Sequence, residues 1–278
     1  MARKGPHMQR EPGRYGRRGG FTLVELLVVI GIIALLISIL IPVLGRARDQ
    51  ANRVACMSNI RQIGIAFRFY AADNKDWCPW AAPLSRPDLY ADWIHWRTGI
   101  NNQGLASSAI SQYLGGGKGF AKDMSLEKIV RCPSDRLQDR PSFTQYPYSY
   151  SMNIYFGSDG NYPQACAGPP TRFSTTKNAS EKILVAEENE VTINDGYWVP
   201  GVASNMTLSD WYCEWDWLSI RHDGGAREFA QKQPVRTPIS GLNNRGKKGV
   251  VVFADGHADV VPRDYAHSPE HVIPRRQL

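Results

Sequence analysis

Gly19-Gly20-Phe21-Thr22-Leu23-Val24-Glu25-Leu26-Leu27 opens a run that stays apolar to Leu44, with Glu25 its one strongly polar side chain and Ser38 a mild exception. About 20 apolar residues cover the ~30 Å hydrocarbon core of a bilayer as a helix, in which all backbone hydrogen bonds are made internally. Residues 21–44 therefore read as a membrane-spanning helix. An ionisable group within such a helix is costly and calls for a partner, so Glu25 is the residue that needs explaining.

The residues ahead of the run hold Arg3, Lys4, Arg10, Arg14, Arg17 and Arg18 against Glu11 alone, and end in Gly19-Gly20. This excess of positive charge holds the N-terminus in the cytoplasm. In a secretory signal peptide the small residues of the cleavage site follow a short apolar core; here they precede a long one. Cleavage between Gly20 and Phe21 would leave an ammonium group on Phe21, one helical turn from Glu25, and give the carboxylate a partner on its own or a neighbouring chain. Taking the leader's six bases and one acid from the chain's 33 and 26 leaves 27 bases and 25 acids. The basic character lies mostly in the leader and gives little support to nucleic-acid binding.

Gly20-Phe21-Thr22-Leu23-Val24-Glu25 resembles the leader and mature start of type IV pilins and type II secretion pseudopilins. That resemblance implies cleavage after Gly20 and methylation of Phe21 by a prepilin peptidase. It also implies assembly through Glu25, with Pro42 as the helix-bending proline of such subunits. The partners implied are the peptidase, other pilin or pseudopilin subunits, a secretion or pilus assembly platform and the membrane. The implied location is the bacterial inner membrane with the head in the periplasm, followed by a periplasmic or cell-surface filament. An ordinary signal anchor that happens to carry a Glu is the alternative.

Past Pro42 the helix continues to about Tyr70. Ile60, Ile63, Phe67 and Tyr70 form one apolar stripe, so 45–70 is expected to pack against a head domain at 71–278. Such a helix would run about 75 Å at about 1.5 Å per residue, bent near Pro42 and Gly45. Cys56-Met57-Ser58-Asn59, Cys132-Pro133-Ser134-Asp135 and Phe253-Ala254-Asp255-Gly256-His257 extend the resemblance to prepilin-type proteins with an H-X9-DG processing-associated domain. The motif's histidine would be His222 and its Asp-Gly pair Asp255-Gly256. They stand 33 positions apart, which an insertion at about 227–248 accounts for.

Val250 to Ala254 and His257 to Val261, joined at Asp255-Gly256, read as a hairpin, since Asp-Gly accepts positive φ. Lys182 to Glu187 and Tyr148 to Phe156 are further strands, with Gly- and Pro-rich loops between them. The fold class expected is α+β, a long N-terminal helix with an antiparallel, loop-rich head in the manner of a pilin.

Of the five cysteines, Cys78, Cys132, Cys166 and Cys213 are disulfide candidates and Cys56 is expected to be free. No Cys-x-x-Cys pair exists, so no zinc module is visible from spacing. Asp255, His257 and Asp259 alternate and are weak metal candidates; no cofactor is expected unless it is calcium, the ion that the resemblance to pseudopilins implies, with no ligand set mapped to this sequence. Glu187, Glu188 and Glu190 read as surface charges. His222, His267 and His271 have no nucleophile beside them and no catalytic motif is present, which argues against an enzyme. Eight tryptophans, Trp77, Trp80, Trp93, Trp96, Trp198, Trp211, Trp215 and Trp217, read as core. The other reading makes them a recognition surface on a membrane-anchored binding protein.

Overall fold

A computed structural model describes residues 22–82, 91–96, 104–114, 124–137, 140, 146–157, 170–200, 216–223, 244 and 246–274. The chain divides into two compact units, Met1–Arg46 and Ala47–Leu278. In the first, the helix α1 (Leu23–Asp73) begins, and its large apolar side chains from Leu23 to Leu44 are all exposed. With a mean hydropathy of 3.2 over its most apolar window, it is long and apolar enough to cross a membrane. Pro42 lies inside the helix without ending it.

In the second unit the same helix turns amphipathic. Cys56, Ile60, Ile63, Ala66 and Phe67 are completely buried while Arg61, Arg68 and Phe69 face outward. The helix runs one turn past Tyr70, where the Asn74 amide donates to the Tyr70 carbonyl at 2.8 Å. It stops as Lys75 and Asp76 take left-handed backbone angles, φ 54° and 67°.

The head carries a five-stranded sheet in the order β3-β1-β2-β4-β5. Its strands are β1 (Tyr150–Asn153), β2 (Ile183–Glu187), β3 (Tyr197–Trp198), β4 (Lys248–Phe253) and β5 (Ala258–Pro262). Pairing is antiparallel except at the edge, where the short β3 lies parallel to β1. The sheet is therefore mixed, within the α+β class. Side chains alternate across it. Val250 and Val252 join the core built on α1. Val251 and Phe253 join a second core with Trp198, Leu218, Ala266 and Val272. Gly64 lets helix and sheet meet, because a Cβ there would come within 2.4 Å of a Val252 methyl.

The hairpin forms with a different turn from the one expected. Gly256 N–H donates to the Phe253 carbonyl at 2.9 Å and Gly256 alone has positive φ, at 96°. Ala254 and Asp255 thus take the turn's centre and glycine follows as a bulge, a three-residue connection. Residues 154–156, expected as strand, instead fall in the short helix α3 (Ile154–Gly157).

Two further expectations are corrected. Cys56 is not free: it is bonded to Cys132, their Cα atoms 5.3 Å apart, while Cys78 is free and buried. Burial raises the Cys78 thiol well above its ordinary pKa. Glu187 and Glu188 are not surface charges but fully buried, because β2 is an interior strand whose end is covered by residues 216–222. The described tryptophans take the core role. Trp93, Trp96, Trp198 and Trp217 are buried and Trp77 and Trp80 partly so, whereas Trp211 and Trp215 lie outside the described residues.

His267, after the helix α4 (Arg263–Ala266), is a buried neutral imidazole. Its Nδ1 donates to the Pro200 carbonyl at 2.5 Å and its Nε2 accepts from Leu218 N–H at 3.2 Å. Burial holds its pKa down at about 3, aided by Arg263 and opposed by the Pro200 bond. The unfolded chain takes up a proton near pH 6.5 that the folded chain refuses until about pH 3, so this stability is complete above about 6.5 and drains away below it. Denaturant unfolding at pH 5 against pH 7 should show a loss of about 2 kcal/mol that a His267→Gln variant lacks.

Candidate functional site

Four separate segments deliver sulfur and charge to one buried place in the head. The helix α1 brings Cys56, and the turn after α2 (Met124–Ile129) brings Cys132 and Asp135. The end of β2 brings Glu187, and the stretch that bridges Glu188 to Leu218 continues to Arg221 and His222. Backbone bonds fix the approach: Ser219 N–H donates to the Glu187 carbonyl at 2.8 Å, and Asp135 N–H to the Cys132 carbonyl at 3.0 Å. Gly249 is needed for it, since a Cβ there would stand 2.0 Å from the Ser219 carbonyl oxygen.

Asp135 is the anionic centre of one half. Its Oδ2 accepts from Arg140 and from the Ser149 hydroxyl at 2.5 Å, and lies 3.1 Å from Arg221 Nη1. Burial pushes its pKa up, but Arg221 and Arg140 outweigh that and hold it at about 2. Arg221 in turn donates to Ser219 Oγ at 2.8 Å and to the Glu188 carbonyl at 2.7 Å. Its Nε lies 3.1 Å from Glu190 and 3.4 Å from Glu187. Burial works against its charge, and these three carboxylates more than restore it.

The other half holds the disulfide. His222 Nε2 lies 3.2 Å from Cys132 Sγ and 3.3 Å from Glu187 Oε2. Of the expected motif residues, His222 thus joins the cysteines. Asp255 does not reach them, because Asp223 accepts from Lys248 N–H at 2.9 Å where β4 begins and Asp255 sits in the turn at its far end. Asp255 instead pairs with His257, Oδ1 to Nδ1 at 2.6 Å, while Asp259 takes the Val260 N–H at 2.7 Å. Sequence reading missed Asp135, Glu187 and Arg221 as members of this cluster. The one signal present was Asp135, three residues past Cys132 in a Cys-Pro-Ser-Asp turn.

At the start of α1, Thr22 and Glu25 cap the helix reciprocally. Glu25 N–H donates to Thr22 Oγ1 at 3.3 Å. Glu25 Oε2 accepts from Thr22 N–H at 2.9 Å and from the Thr22 hydroxyl at 2.8 Å. This is a capping box, legible as Thr-x-x-Glu ahead of an apolar run. Glu25 therefore has a local partner within its own first turn, besides any it gains from a chain terminus. Gly20, Phe21, Cys166 and Cys213 lie outside the described residues.

Residues 16–41 match the family model for the prokaryotic N-terminal methylation motif. No curated protein and no solved structure matches the chain. The matched segment contains Gly20, Phe21, Thr22 and Glu25, so the chain begins as a prepilin-like protein does, and its long apolar helix suits a membrane anchor.

Proposed function

We propose that this chain is a structural subunit of a pilus or pseudopilus, cut after Gly20 and N-methylated on Phe21 by a prepilin peptidase. The methylation motif over 16–41 carries this reading. The exposed apolar surface of α1 from Leu23 to Leu44 supports it, since a bilayer first and neighbouring helices afterwards would cover it. The expectation that the chain is no enzyme follows from this prepilin-like reading. The described tryptophans, in the core or partly buried, lend the binding-protein alternative no support.

In assembly Glu25 would set register. A subunit displaced along the bundle would leave carboxylate and neighbouring ammonium unpaired among apolar side chains, where neither is tolerated. Intact mass and N-terminal sequencing of the protein from native membranes test the reading. A chain starting at N-methylated Phe21 is expected, and one starting at Met1 would overturn it. In Glu25→Ala, insertion and cleavage should persist while recovery in sheared filaments falls to background; normal recovery would remove Glu25 from assembly.

A further inference from the structure

Cys56 Sγ, Cys132 Sγ, a Glu187 carboxylate oxygen and an imidazole nitrogen of His222 all lie within 4.8 Å of one another. A disulfide is neutral and needs neither an anion nor an imidazole beside it. Yet Glu187 is fully buried, and among the described residues neither of its oxygens receives a hydrogen bond. Arg221 approaches one of them only at 3.4 Å. A carboxylate so placed lacks the donors that its burial demands. His222 Nε2 faces sulfur and carboxylate together, at 3.2 and 3.3 Å, and one N–H cannot fully satisfy both.

Two sulfurs, one imidazole and one carboxylate are a complete set for tetrahedral zinc. At about 2.3 Å to sulfur and about 2.0–2.2 Å to nitrogen and oxygen, such a site spaces its donors roughly 3.3–3.8 Å apart. The nitrogen-to-sulfur and nitrogen-to-oxygen separations already approach that range. Only the two sulfurs stand closer, because they are bonded. Arg221, touching Glu187 from the side of Oε1, would orient that ligand as an outer-shell partner does. The donors come from four segments far apart in sequence, which is why no spacing motif announces them.

We propose that the dithiol form of this chain binds one zinc ion through Cys56, Cys132, His222 and Glu187, and that the Cys56–Cys132 disulfide is the alternative, metal-free state of the same site. Binding releases both thiol protons as the thiolates take the metal. The reverse exchange needs a disulfide-bearing oxidant. The two zinc-bound thiolates become the disulfide, the oxidant's disulfide takes up their two electrons together with two protons from water to become two thiols, and zinc leaves as the divalent ion.

The test uses the full chain in detergent, reduced anaerobically with a phosphine and titrated with cobalt, then zinc. One equivalent of cobalt should produce thiolate-to-metal charge-transfer absorption, which zinc abolishes by displacement and which the oxidised chain never shows. In His222→Cys, an added thiolate should intensify that absorption. In Glu187→Gln, affinity should fall at least about tenfold. Cys166→Ser and Cys213→Ser should leave the spectrum intact. A reduced chain that gives no charge-transfer band, folded or not, overturns the site; so does a band that depends on Cys166 or Cys213 and ignores His222→Cys.

Discussion

Arg221→Met should lower the stability of the head by about 3–5 kcal/mol, the usual cost of removing one partner from a buried ionic cluster. The guanidinium is almost wholly enclosed and is shared among Asp135, Glu187 and Glu190. Methionine fills most of the volume and returns none of the charge, so Glu187 is left without a cation among the contacts described and Asp135 keeps only Arg140. Denaturant unfolding at neutral pH measures the loss. Its pH dependence identifies the cause. In the parent, Asp135 is ionised down to about pH 2 against an ordinary 3.8, so its contribution is complete above about pH 4 and lost as pH falls through that window. With Arg221 gone the lowering shrinks, and parent and variant should converge toward pH 2. A deficit that stays constant with pH would mean that packing, not charge, was lost.

Cys56→Ala with Cys132→Ala should cost a similar amount. The bond closes a loop with a sequence separation of 76, for which loss of closure entropy corresponds to about 4 kcal/mol. Thermal unfolding with and without reductant should show the same drop in the parent, and the double variant should not respond to reductant through this pair. If zinc occupies the reduced site, added zinc should recover part of the loss in the reduced parent and none in the double variant, since ligand that binds only the folded form stabilises it by mass action.

What could be read from the sequence was whatever has a local period. The stripe of Ile60, Ile63 and Phe67 landed fully buried, because helical spacing dictates which face meets the sheet. The hairpin over 250–261 was legible because alternation and Asp-Gly both act over a few residues. The cysteine partner of Cys56 was not, because the pairing depends on how the turn at 132 folds back on α1. Glu187 looked like a surface charge because nothing near it in sequence announces that residues 216–222 cover the strand end. The two-residue β3 has too little pattern to announce itself. His222 was found by resemblance, yet its neighbours turned out to be sulfur and Glu187 rather than Asp255. Thr22 was passed over beside Glu25, though the cap they form is local and follows a known four-residue pattern.

The bond between Cys56 and Cys132 also decides how the chain bears a mechanical load. Cys56 is the first buried residue along α1, and tension applied between the chain's two ends passes from it straight to Cys132. The intervening loop, with a separation of 76 residues, carries none of that force. Stretching an oxidised subunit to its full contour would therefore yield about 250 Å less extension than its residue count allows, at about 3.4 Å per residue. Reduction would return that length to the stretched chain.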